Sequence, residues 1–203
     1  MKKEILLLTI FLWSTFIVAQ DNFATYNNSY FEKTYNIDIS LKENDKFNLY
    51  IDAYSMDRLY KIGGITVDNK ELSSLIDALN NAKLKYQEWV EVAKENSVKD
   101  LNKKMNLNSK VGGYFLSGSD WHFSAIVNLT FEFKVTEING VTKHLLIVRS
   151  GEMQSASNQF MKVDGVVLIF SSSEEIDEFI SAISIEKIEE FKSKPKTEDL
   201  FKD

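Results

Sequence analysis

The 203-residue chain has no cysteine. Lipid attachment at a cysteine following an export signal is therefore excluded, and the fold has to stand without disulfides. A domain of this size can do so, because ~150 residues already bury about 70 % of the surface their unfolded chain exposes. Only two histidines, His122 and His144, and two arginines, Arg58 and Arg149, occur. No basic stripe is present and the net charge is -6, which argues against binding nucleic acid or anionic lipid by counterion release. Gly63-Gly64 and Gly112-Gly113 have neither the spacing nor the lysine of a phosphate loop. No carboxylate series follows the alternating ligand pattern of a calcium loop. The sequence points to no cofactor and no metal.

Long hydrophobic runs are equally scarce. The one present, Ile5 to Val18, follows Lys2-Lys3 and precedes the small residue Ala19. That order predicts a secretory signal over residues 1–20, cleaved after Ala19 or Gln20. The run is shorter than the ~20 residues a membrane-spanning helix needs. Its removal leaves 22 basic and 29 acidic residues, a net charge of -7. The expected mature protein is exported, periplasmic or extracellular, with no membrane span. It consists of one domain over residues 21–192 and a charged, frayed tail over 193–203 around Pro195.

What the chain has in abundance is alternation. From Phe123 to Val135, Phe123, Ala125, Val127, Leu129, Phe131, Phe133 and Val135 are apolar, and polar residues separate them except at Ile126. A period of two over this length predicts a strand with one face in a core, here the face carrying Phe123 through Val135. Asn139-Gly140 is the dipeptide best suited to a two-residue type I′ turn, so Val141 to Ser150 should return beside it. The register follows: Ile138 faces Val141, Val135 faces His144, Phe133 faces Leu146 and Phe131 faces Val148. Leu145 and Ile147 then fall on the other face, where a packed helix would account for them.

The same patterns organise the rest. Tyr30 to Leu41 and Phe47 to Tyr54 read as a hairpin, and Leu59 to Val67 as a third strand bent at Gly63-Gly64. Asp68 and Glu71 have the spacing of a capping box, and Leu72, Leu75, Ile76, Leu79, Ala82, Tyr86, Trp89, Val90 and Ala93 form one helical stripe, predicting a helix over 69–95. Val98, Leu101 and Met105 have the spacing to prolong it. Val111 to Leu116 is a short strand. Residues 151–158 form a polar loop, and Gln159 to Val163 with Val166 to Phe170 form a hairpin or one bent strand. Ser172 and Glu175 begin a second helix, 173–191, whose stripe shifts phase near Ser184. The predicted fold is α+β: a mainly antiparallel, twisted sheet of 7–8 strands with two packed helices. Gly64 to Val67 followed by a capped helix parallels Gly165 to Leu168 followed by another, so residues 30–105 and 111–192 read as two sheet-then-helix repeats. This order of elements resembles the four-strands-then-helix plan of the whirly and PUR-type folds; no functional residue carries over.

Ser117-Gly118-Ser119-Asp120-Trp121-His122 places serine, aspartate and histidine close together, but a nucleophile elbow needs a second glycine and a strand-to-helix turn. Triad members also come from distant segments. By parity His122 lies on the polar face and His144 on the apolar one, about 40 Å apart at ~3.3 Å per residue, too far for a shared metal or dyad. No convincing catalytic set is therefore present. Tyr50, Tyr54, Tyr114 and Trp121 sit at turns or on polar parities, where exposed aromatics stack on sugars or anchor peptides. The expected function is a non-catalytic binding or interaction module with a protein, peptide or glycan partner. The alternative is a small-ligand carrier or enzyme using a cleft between the sheet and the long helix. An enzyme would be signalled by a pocket gathering Asp52, Asp57, Arg58 or Arg149 with a histidine.

Overall fold

The Asn139-Gly140 corner sets the geometry of the second half of the molecule. In the computed structural model, which describes residues 23–194, both residues take positive φ, 52° and 77°, as a type I′ turn requires. Strands β7 (Asp120–Ile138) and β8 (Val141–Ser150) leave this corner antiparallel. All four predicted facing pairs, from Ile138 with Val141 to Phe131 with Val148, are formed. The signal over 1–20 and most of the tail lie outside the described residues.

The chain before this hairpin comprises β1 (Ala24–Asn28), β2 (Lys33–Leu41), β3 (Phe47–Asp52), β4 (Tyr54–Ser55), β5 (Gly63–Asp68), helix α1 (Leu72–Glu95) and β6 (Leu101–Ser117). After it come β9 (Met153–Gln154), β10 (Lys162–Val163), β11 (Val166–Phe170) and helices α2 (Ser173–Ala182) and α3 (Ile185–Ser193). The fold is α+β. Nine strands form one antiparallel sheet in the order β1-β2-β3-β5-β6-β7-β8-β11-β4, and β9 and β10 pair separately. Only Ala53 separates β3 from β4, yet β3 pairs with β2 and β5 whereas β4 pairs with β11 at the far end of the order. The sheet therefore curls until its last long strand meets the continuation of its third. Four long strands followed by a helix occur twice, β1, β2, β3, β5 then α1 and β6, β7, β8, β11 then α2, joined edge to edge where β5 pairs with β6.

The concave face is filled by α1 and α2. Leu72, Leu75, Leu79, Ala82 and Tyr86 of α1 join Ile37, Leu49, Ile51, Phe131, Phe133, Leu146, Phe170 and Phe179 in one core. Burying each large apolar side chain contributes about 1.5–3 kcal/mol, so the sheet's inner parity and the helical stripe stabilise each other. The capping pair is reciprocal, with the Asp68 amide donating to Glu71 Oε2 and the Glu71 amide to Asp68 Oδ1, both at 3.0 Å. The helix proper starts one turn later than predicted. Ser172 accepts from the Glu175 amide at 3.3 Å. The phase shift near Ser184 is a true break, because Ser184 caps α3 by accepting from the Lys187 amide.

Several expectations change. Ala24–Asn28 is an additional strand. Leu59 and Ile62 belong to an exposed loop, so the third strand starts only at Gly63. Val98, Leu101 and Met105 do not prolong α1; Leu101 opens a 17-residue strand, and Val111 to Leu116 is merely its end. Leu101, Met105, Leu107 and Val111 satisfy a period of two as well as they satisfy a helical one, and pairing with β7 decides between them. Residues 162–163 pair with β9 rather than with β11, so 159–170 is neither a hairpin nor one bent strand. The face carrying Leu145 and Ile147 is closed by Val167 and Ile169 of β11 and by Phe31 and Met56 from two loops, not by a helix.

The correction with most consequence lies in β7. Phe123 and Ala125 are exposed, not in the core. Val111 faces Val127 but Gly113 faces Ser124, so Ala125 and Ile126 together oppose Gly112 in a bulge. One extra residue reverses the facing of everything before it. Ser124 becomes buried and donates to the Gln154 carbonyl at 2.6 Å, Ile126 bulges into solvent, and Trp121 and Phe123 emerge on the convex face.

Candidate functional site

Two cross-strand rows on the convex face build the site. In one, Asp38 lies opposite Tyr50, Tyr50 opposite Thr66, and Thr66 opposite Gly112. In the other, Asp52 lies opposite Gly64, Gly64 opposite Tyr114, and Tyr114 opposite Phe123. Their strand neighbours Ile37, Leu49, Ile51 and Ile65 point into the core, so alternation alone commits both rows to the outside.

Gly64 makes the arrangement possible. A methyl group there would stand 2.6 Å from the Tyr114 phenol oxygen and would clash with the Ile51 carbonyl oxygen. Without it, the Tyr114 ring lies across the glycine and its hydroxyl donates to Asp52 Oδ1 at 2.5 Å. Tyr114 is thereby 4 % exposed although it belongs to the outer face. Tyr50 meets its ring edge-on at 6.0 Å, Trp121 lies 5.7 Å from it, and Phe123 stands 6.4 Å from Tyr50. Asp38, Tyr50, Asp52, Tyr114, Trp121 and Phe123 together line an open cleft of about 280 Å³. A second, more polar cleft of about 440 Å³ adjoins it, sharing Tyr50 and Phe123 and reaching Lys42, Asn48, Asp68 and Glu71.

The electrostatics follow from burial and from the two acids. Burial, and then the charge of Asp52, pushes the Asp38 carboxyl above the usual carboxylate range. Burial pushes the Tyr114 phenol up, and the neighbouring Asp52 carboxylate adds to it. Among the described residues neither Asp38 nor Asp52 forms an ion pair.

Three of the four aromatics singled out in the sequence, Tyr50, Tyr114 and Trp121, meet here. Tyr54 does not; it stacks on Phe31 at 4.2 Å with planes 6° apart, beside a separate cleft that includes Lys33 and Lys61. The sequence reasoning missed Asp38, which its own hairpin register would have set opposite Tyr50, and Phe123, which only the bulge brings out. Asp52, Asp57, Arg58 and Arg149 do not gather around a histidine. Asp57 accepts from the Leu59 and Tyr60 amides and from Asp164, Arg58 is exposed, and Arg149 lies 3.8 Å from Glu132, facing Thr130.

The bulge also moves His122. Its ring stacks on core residue Phe115 at 5.2 Å and Nδ1 lies 3.2 Å from Ser155 Oγ, so both histidines face the core side instead of opposite sides. They remain thirteen positions apart along β7, because His122 faces Phe115 and His144 faces Val135. Ser155 is 3 % exposed and accepts from the Asn158 amide, which pins the 155–158 loop. His144 stacks on Phe133, and burial, then Lys94, holds its pKa below the ordinary histidine value. It borders a cleft of about 480 Å³ between α1 and the start of α2, with Tyr86, Glu91, Lys94, Ser171 and Glu174.

The molecule defined by these features is an α+β protein with a curled antiparallel sheet and an aromatic, acid-flanked cleft on its convex face. No protein-family model matches the chain, and neither a curated protein nor a solved structure matches it significantly.

Proposed function

We propose that the protein is an exported, non-catalytic binding module whose convex-face cleft engages a protein, peptide or glycan. The observation that carries this reading is the convergence of Tyr50 from β3, Tyr114 from β6 and Trp121 with Phe123 from β7 on one open surface. Trp121 is 51 % and Phe123 46 % exposed, and apolar residues gathered in one exposed patch, unlike single scattered ones, mark an interaction surface. Rigid, amphipathic rings give large contact area at low entropic cost, which is why they anchor recognition surfaces. The export half of the proposal rests on the signal pattern over residues 1–20.

The test is a capture experiment from an envelope fraction, run with the protein and with a Trp121→Ala/Tyr50→Ala variant. Trp121 is exposed and Tyr50 half-buried on the convex face, so neither belongs to the core. A partner retained by the first and lost with the second supports the cleft as the binding surface; equal retention by both refutes it. The second reading, a small-ligand carrier or enzyme, draws support from the 480 Å³ cleft beside α1, where the buried Nε2 of His144 has no partner among the described residues. It predicts that a bound small molecule is displaced by His144→Ala and not by the convex-face variant.

A further inference from the structure

The six residues lining the convex-face cleft are four aromatics and two aspartates, with no basic residue among them. Asp38 and Asp52 are diagonal neighbours across the β2–β3 ladder, a relation that places such pairs about 7–8 Å apart. One oxygen of Asp52 is taken by the Tyr114 hydroxyl, and no side-chain hydrogen bond to Asp38 is formed among the described residues. Two carboxylates in one cleft without an ion-pair partner among the described residues are unfavourable, and burial, then the charge of Asp52, raises the Asp38 pKa. Aromatic rings line the rest of the cleft, and an aromatic face is negative, so a cation placed over one is attracted. A neutral sugar would leave this field uncompensated, and an anion would be repelled.

We propose that the cleft receives a cationic side chain of a peptide, arginine in preference to lysine. The inference rests on the reading of this cleft as the binding surface and gives its ligand a chemical class. The volume of about 280 Å³ lies just below the range of drug-sized sites, so it suits one side chain and not a folded surface. A guanidinium matches both features of the lining, since it stacks flat on an aromatic ring and directs its remaining N–H donors to carboxylates. The adjoining polar cleft, bordered by Tyr50 and Phe123 and opening over Gly112, accommodates the peptide backbone on one side of the anchoring side chain.

The test uses N-acetyl-arginine methylamide, its lysine counterpart and its citrulline counterpart, which keeps the shape of arginine without the charge. Binding to the full protein is read by calorimetry. The arginine derivative should bind about tenfold more tightly than citrulline, the difference expected from a partly desolvated cation–aromatic contact, with lysine between them. Asp52→Asn keeps an acceptor for Tyr114 while removing the charge, and with Asp38→Asn it should weaken arginine binding about tenfold and leave citrulline unchanged. Equal binding of arginine and citrulline, abolished in both cases by Trp121→Ala, would overturn the cation inference and leave the binding surface standing. No binding of any derivative would likewise overturn it, while the capture experiment decides the surface independently.

Discussion

Gly64 shows how much a single missing side chain can decide. Its empty Cβ position is where the Tyr114 ring lies, and that placement carries the Tyr114 hydroxyl to Asp52. Gly64→Ala would press the new methyl against both the phenol and the Ile51 carbonyl. Overpacking of this kind costs about 1–3 kcal/mol. Urea denaturation should therefore show a stability loss of that size, and the convex cleft should lose its Tyr114 wall. A variant as stable as the parent, with an unchanged Tyr114 environment, would show that the ring is not held by the glycine. Gly63-Gly64 was legible in the sequence as an irregularity of a strand. Its purpose was not, because the ring that needs the space comes from residue 114, on another strand.

At the scale of the element, β7 is two strands of opposite facing joined by a bulge. Val127 to Val135 obeys the parity written in the sequence, and Asp120 to Ser124 obeys the reverse. Deleting Ile126 would remove the extra residue and restore one parity throughout. Ala125 alone would then face Gly112, so Trp121 and Phe123 would keep their outward facing, and His122 and Ser124 their inward one, on a regular strand. The expected outcome is a folded protein whose tryptophan emission is unchanged and whose convex-face binding persists. Lost binding with blue-shifted emission would mean that the bulge itself, and not the pairing beyond it, holds Trp121 and Phe123 outward. The helices are more self-contained: the stripe of α1, its reciprocal cap and the serine caps of α2 and α3 are all local patterns, which is why their existence could be read directly, including the break at Ser184.

Across the whole molecule, three tyrosines are buried with their hydroxyls engaged, Tyr26 and Tyr86 in the main core and Tyr114 on the convex face. Tyr26 donates to the Asp52 carbonyl at 2.8 Å, Tyr86 to the Ser171 carbonyl at 2.8 Å and Tyr114 to the Asp52 carboxylate. Burial, the main cause in each case, raises all three phenol pKa values. Below the unfolded value of about 10, folded and unfolded states are both protonated and the contribution of these groups is complete. Above it the unfolded chain releases protons that the native state retains, so stability falls as pH rises from about 10 toward the folded values. Three such groups give a slope of at most about 4 kcal/mol per pH unit. Denaturation midpoints measured between pH 9 and 11.5 should drop accordingly, with the tyrosinate absorbance of these residues appearing together with unfolding. Full ionisation near pH 10 in a protein that stays folded would contradict the burial described.

Local chemistry alone determined the elements: the Asn139-Gly140 corner and the register it imposes, the helical stripes and caps, the antiparallel α+β class and the face that carries Phe131 and Phe133. These are patterns within a few residues or across one tight turn, where periodicity and backbone preference leave little choice. Tertiary structure decided what no local pattern encodes. It settled Leu101 to Lys110 as strand, because pairing with β7 satisfied a backbone that was equally suited to a helix. It curled the sheet until β4 met β11, and by a one-residue bulge it turned Phe123 and Trp121 outward to join Tyr50, Tyr114 and two aspartates from separate strands. Long-range pairing sets which residues share a surface, and the site exists only at that level.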